Sequence, residues 1–206
     1  MEDQIRNRED LKAIREIMQR STRFISLSGL SGIAAGIIAL IAAYLAGRIE
    51  PKLLAPEEFA ERATSISVLV RLIVLGILAL LFSITGALLF TLRTARKNRE
   101  SIWNIHFRQL MIQLSIPLFA GGATSLIFAF NGLMNLVPAM MLIFYGLALV
   151  GASKYTLRDI FGLGVLEILL GLTGLMVPGY GLWLWAMGFG LFHIIYGIRM
   201  YLNYGS

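Results

Sequence analysis

Residues 161–202 read "FGLGVLEILLGLTGLMVPGYGLWLWAMGFGLFHIIYGIRMYL": an apolar run, a Pro-Gly turn and an apolar run back. Each run matches the roughly 20 residues that a helix needs to cross about 30 Å of hydrocarbon. The stretch therefore predicts two antiparallel transmembrane helices joined by the tight "PGYG" turn. It also holds one acid, Glu167, and one imidazole, His193, in surroundings suited to lipid.

The rest of the chain follows the same pattern. Of its 206 residues 57% are hydrophobic, and the mean hydropathy of +0.75 lies in the range of polytopic membrane proteins. Six apolar runs qualify as spans, at 24–46, 66–92, 110–130, 136–150, 160–177 and 182–201. The expected fold is an all-α bundle of six transmembrane helices, one membrane domain over residues 24–206.

Residues 1–23 are charged, with Leu11, Ile14 and Met18 at spacings of three and four and Ile17 beside them. They predict a short amphipathic helix lying on the headgroups or on the bundle, or else meeting a cytoplasmic partner. The segment has no apolar core and is rich in acids, so it is not expected to be a cleaved signal or a transit sequence. Between the first two spans, "GRIEPKLLAPEEFAERATS" carries Glu50, Glu57, Glu58 and Glu61 and reads as a solvated surface loop.

Net charge is +6, but the arrangement of the basic residues decides more than the total. One side of the membrane would hold Arg6, Arg8, Lys12, Arg15, Arg20, Arg23, Arg93, Arg96, Lys97, Arg99, Arg108, Lys154, Arg158 and Arg199; the other would hold Arg48, Lys52, Arg62 and Arg71. Fourteen against four predicts both termini in the cytoplasm. The same distribution explains the basic residues without nucleic acid. Cysteine is absent, which excludes disulfides and thiolate chemistry, and no phosphate-binding, dinucleotide or zinc motif occurs. With only His106 and His193, His106 lying at the membrane edge, no haem pair is offered and no cofactor is implied.

Glycine spacing locates the polar residues. Gly29, Gly32 and Gly36 form a small-residue face on the first span, suited to close helix approach or to a homo-oligomer contact. Gly164, Gly171 and Gly174 flank Glu167 at helical spacing, and Ala186, Gly190 and Gly197 flank His193 likewise. Both polar side chains should therefore face protein. Glu167 lies about 12 Å beyond Asp159 and His193 about 9 Å before Arg199 along their helices. On antiparallel neighbours, the two are expected to meet in the same half of the bundle.

Counting in the same way places Gln113, Tyr145, Ser28 and Ser31 at that depth, with Tyr196 one step along from His193. An intramembrane acid costs about 2.5–3.5 kcal/mol on insertion scales and marks a functional candidate. The carboxyl is expected to be neutral unless a protonated His193 stands beside it. Two readings stay open. Glu167 could fasten helices through a bond worth about 0.6–2 kcal/mol, or Glu167, His193, Tyr145, Gln113 and Tyr196 could form a ligand-binding or proton-responsive pocket. One histidine and one glutamate are too few for a metal site. Arg71, five residues into the second span, either snorkels to the surface or meets an anionic lipid or ligand near Asn131 and Asn135.

Two sequence patterns bear on function. "GLSG" at 29–32 and a histidine in the last span resemble features of rhomboid intramembrane proteases, but here the serine lies in the first span rather than the fourth. The second span also lacks the histidine and asparagine of that family's oxyanion site, so no catalytic residue is assigned. The chain reads loosely as three successive hairpins, each second helix ending in a glycine before basic residues: Gly86 then Arg93, Gly151 then Lys154, Gly197 then Arg199.

The third hairpin, "LGVLEILLGLTGLMVPGYGLWLWAMGFGLFHIIYGIRMYL", resembles a repeat of the HdeD-like acid-resistance membrane proteins, with a glycine-punctuated helix, a Pro-Gly turn and an aromatic-rich return. The resemblance implies a multipass protein of the bacterial inner membrane connected with stress or acid tolerance. It covers mainly residues 160–201; the charged N-terminal segment and the acidic first loop depart from the pattern. The expected function is accordingly non-enzymatic, with a small transporter or channel built on the Glu167 and His193 pocket as the alternative.

Overall fold

The computed structural model describes residues 28–54, 65–97 and 105–204. The expected N-terminal helix and most of the acidic loop fall outside them. The described chain is all helical, with six helices long and apolar enough to cross a membrane. They are α1 (Gly29–Ile49), α2 (Ile66–Lys97), α3 (Ile105–Phe130), α4 (Val137–Ala152), α5 (Asp159–Met176) and a sixth span in three pieces. That span runs through α6 (Gly181–Trp185), a π-helical segment (Ala186–Phe192) and α7 (His193–Tyr204).

Most boundaries lie close to the apolar runs, and the departures have local causes. The first helix starts later than its apolar run, at Gly29, because Ser28 caps it: the Ser28 hydroxyl accepts from the Leu30 N–H at 3.3 Å. The second helix continues past its apolar run to Lys97, since nothing in "RTARK" opposes helix once lipid ends. Between α3 and α4, the Gly132 N–H bonds Ala129 O and the Leu133 N–H bonds Phe128 O. Gly132 has φ 78°, the left-handed conformation that this helix-ending motif requires.

Packing divides the bundle unequally. The middle is made by α1, α4, α5 and the sixth span; α2 packs chiefly on α1, and α3 on α4. Glycine sets the two closest approaches. A Cβ on Gly36 would lie 2.6 Å from Gly190 O, and one on Gly197 would lie 2.7 Å from Gly29 O. Likewise a Cβ on Gly146 would lie 2.5 Å from Gly164 O, and one on Gly171 would lie 2.8 Å from Ala139 O. The obstacle in each case is backbone, so only glycine allows α1 against the sixth span and α4 against α5 at these separations.

These two tight pairs meet along the sixth span. Leu149, Leu157, Ile160, Leu163 and Met200 form a buried cluster toward one membrane face. Ala43, Leu53 and Leu182 form another toward the opposite face. The polar residues lie between them. The late glycines of the three sequence hairpins have unlike surroundings: among the described residues a Cβ on Gly86 would meet nothing within 4 Å, one on Gly151 would meet Gln113, and one on Gly197 would meet the α1 backbone.

Candidate functional site

Glu167 projects from α5 and is 0% exposed. Gly164, Gly171 and Gly174 on the same helix are buried with it, as their offsets require. Its Oε1 lies 3.4 Å from His193 Nδ1, and its carboxyl rests on Gly188 of the π-helical segment. A Cβ there would lie 3.1 Å from the carboxyl carbon and 2.6 Å from Leu142 Cδ2. Glycine at 188 is thus what admits the acid between α4, α5 and the sixth span.

His193 is 6% exposed and begins α7. Its Nδ1 lies 3.0 Å from Gly188 O, and because a carbonyl only accepts, that nitrogen carries the proton. Its Nε2 lies 2.7 Å from the Tyr145 hydroxyl of α4. Three helices therefore converge on one imidazole. The His193 backbone N–H bonds Gly190 O while its ring bonds Gly188 O, so the π-helical stretch presents carbonyls to both. Such widened turns often mark functional positions in helices.

The carboxyl is the group left unsatisfied. Among the described residues neither oxygen of Glu167 has a hydrogen-bond partner, although a charged contact to His193 lies within reach. Two proton arrangements keep the pair neutral overall. With the carboxyl protonated, Tyr145 donates to Nε2 and Nδ1–H donates to Gly188. With the proton on the imidazole, Nε2–H donates to Tyr145, and Nδ1–H faces both Gly188 O and the carboxylate. A further proton would leave a net positive charge in a buried, low-dielectric site, and loss of one would leave a negative charge.

Aromatic rings bound one side. Phe189 stacks near His193 at 6.0 Å and 12° and packs against Tyr145 at 4.8 Å and Trp185 at 5.0 Å. Trp185 and Phe189 were not evident as site residues from sequence, and Gly188 was not either. The usable signal was "AMGFGLF", two glycines two residues apart inside a span, a spacing that does not fit one packed α-helical face.

The other sequence candidates separate from this cluster. Gln113 is exposed on α3 beside Gly151; it shares the depth but points elsewhere, because α3 reaches the site only through α4. Tyr196 is half-buried, with its hydroxyl near Gly162, one turn closer to the membrane face than His193. Ser28 and Ser31 are buried but occupy the α1 start, where the Ser31 hydroxyl donates to Ser28 O. Arg71 is exposed, and its Nε donates to Ser67 O at 3.3 Å, within its own helix end. Asn131 is similarly engaged with Ile127 O at 2.7 Å.

A second polar link joins the same two elements near their ends. Arg199 Nη2 lies 3.3 Å from Asp159 Oδ1. Counted from that pair, Glu167 lies about 12 Å and His193 about 9 Å along their helices, so both fall in the same half of the bundle. Among the described residues, no group of three metal-ligating side chains occurs. No protein-family model matches the chain, and neither the curated proteins nor the solved structures searched contain a match.

Proposed function

We propose that this chain is a non-enzymatic multipass protein of a bacterial inner membrane in which Glu167, His193 and Tyr145 form a proton-responsive fastening, serving acid or stress tolerance. The observation that carries the reading is the buried His193 imidazole, held by Gly188 O and the Tyr145 hydroxyl with the fully buried Glu167 carboxyl 3.4 Å from its Nδ1. A purely structural fastening would satisfy its donors and acceptors. This one holds a single exchangeable proton in a buried site and is neutral only at that occupancy. Acid adds a proton to the pair, creates a buried positive charge and favours separation of α5 from the sixth span with entry of water. The bacterial location and cytoplasmic termini are supported by the basic-residue distribution and by the resemblance of residues 160–201.

Trp185 provides the readout, since it contacts Phe189 and, through it, Tyr145 and His193. With Trp103 and Trp183 replaced by Phe, Trp185 emission in lipid nanodiscs should change on acidification. His193→Gln should abolish that change, because no group remains to take the second proton. Glu167→Gln should retain it, since the imidazole still titrates, and Tyr145→Phe should retain it too. An acid response that survives in His193→Gln, or none in the parent, would overturn the reading.

The unbonded carboxyl oxygens and the neighbouring π-helical turn favour a second reading, a small proton-coupled transporter. It requires solute or proton flux into liposomes that Glu167→Gln removes while the protein stays folded.

A further inference from the structure

Between the start of α5 and the end of α7 lies an open groove of about 500 Å³, lined by Arg158, Asp159, Phe161, Gly162, Tyr196, Arg199 and Asn203. It sits where two spans leave the hydrocarbon, away from the Glu167 cluster and independent of any role for it. Its polar groups have unequal commitments. Arg199 is 61% exposed at its side chain yet held by Asp159 at 3.3 Å through one terminal nitrogen, and among the described residues its remaining N–H groups have no partner. The Arg158 guanidinium has no hydrogen bond or ion pair among the described residues. Two guanidiniums against one carboxylate leave the groove positive. Below them Phe161 is 51% exposed and continues the groove onto the lipid-facing side of α5.

We propose that this groove seats the phosphate of an anionic phospholipid, with Arg158 and Arg199 binding the phosphate oxygens, Tyr196 and Asn203 supplying polar contacts, and Phe161 lying along the acyl chain. Planar guanidinium suits a phosphodiester because two parallel N–H groups meet two oxygens. The Asp159 contact orients Arg199, which reduces the ordering needed on binding. A lipid suits the groove better than a soluble anion because an exposed aromatic wall runs from the basic end into the apolar zone. Arg71 shows the contrast: its Nε is already engaged by Ser67 O within its own helix.

The test uses the full chain extracted from nanodiscs containing equal phosphatidylglycerol and phosphatidylcholine, with bound lipid counted by native mass spectrometry. The parent should retain phosphatidylglycerol preferentially. Arg158→Gln should reduce that preference about fivefold, the effect expected for one basic residue at a charged lipid surface, and Arg158→Lys should keep most of the charge contribution. Arg158 is exposed and has no side-chain partner among the described residues, so its replacement leaves the fold intact; Arg199→Gln in the same background should remove the remaining preference. Equal retention of both lipids, or a preference unchanged in Arg158→Gln, would overturn the proposal. Displacement of phosphatidylglycerol by inorganic phosphate would assign the groove to a soluble anion instead and would overturn it equally.

Discussion

At the residue scale, His193 is the side chain on which three helices depend. Its replacement by Ala leaves the Tyr145 hydroxyl and Gly188 carbonyl without their imidazole partner and opens a void among Phe189, Tyr145 and Glu167. We expect a loss of about 2–4 kcal/mol, read by reversible unfolding in mixed micelles. Tyr145→Phe removes one hydroxyl and strands only Nε2, so about 1–2 kcal/mol is expected. Glu167→Leu should behave differently. His193 keeps both ring partners, and an apolar side chain replaces an unsatisfied carboxyl, so stability should hold or rise. A drop of more than about 2 kcal/mol in that variant would show that the acid is there to hold the helices. The positions of Glu167 and His193 were legible because glycines at three, four and seven residues mark the face of a helix that another backbone can reach. Gln113 was misplaced for the complementary reason: counting residues gives depth along an axis but no direction around it.

At the scale of the elements, the two glycine faces make opposite demands from glycines elsewhere. In Gly36→Ala the new methyl meets Gly190 O at 2.6 Å and Ile194 Cγ1 at 2.7 Å, and backbone cannot turn aside as a side chain can. The α1 contact must widen, at about 1–3 kcal/mol. Gly146→Ala should cost a similar amount at the α4 contact. Gly86→Ala and Gly122→Ala meet nothing within 4 Å, so loss of glycine's backbone freedom should leave stability unchanged or raise it by roughly 0.5–1 kcal/mol. Thermal unfolding of the four variants in one detergent distinguishes these cases, and equal effects at Gly36 and Gly86 would mean that the close contact is absent. The sequence marked the small-residue face of α1 but not its partner, since an apolar helix with several small faces fits many neighbours. The π-helical segment was less legible still. Its geometry follows from fitting Gly188 against a carboxyl and Gly190 against Leu40 at once, a requirement set by three helices together.

At the scale of the whole molecule, the six-span plan was almost fully legible, because lipid requires each crossing segment to be long, apolar and internally hydrogen-bonded. Which way the bundle faces is a separate question, decided by charge. Lys154, Arg158 and Arg199 share one end of the bundle with the Asp159 contact, while the Gly132 turn has no charged residue and lies at the other end. The basic end should be cytoplasmic. The absence of native cysteine makes this directly measurable, since any introduced thiol is the only one. Lys154 and Asn131 are both exposed, so neither replacement disturbs the core. In intact cells Asn131→Cys should react with a membrane-impermeant maleimide, whereas Lys154→Cys should react only after permeabilisation. The reverse pattern would place the proposed lipid groove in the outer leaflet and the Glu167 cluster in the external half of the bundle, so the labelling result also fixes from which side a pH change must be applied to test it.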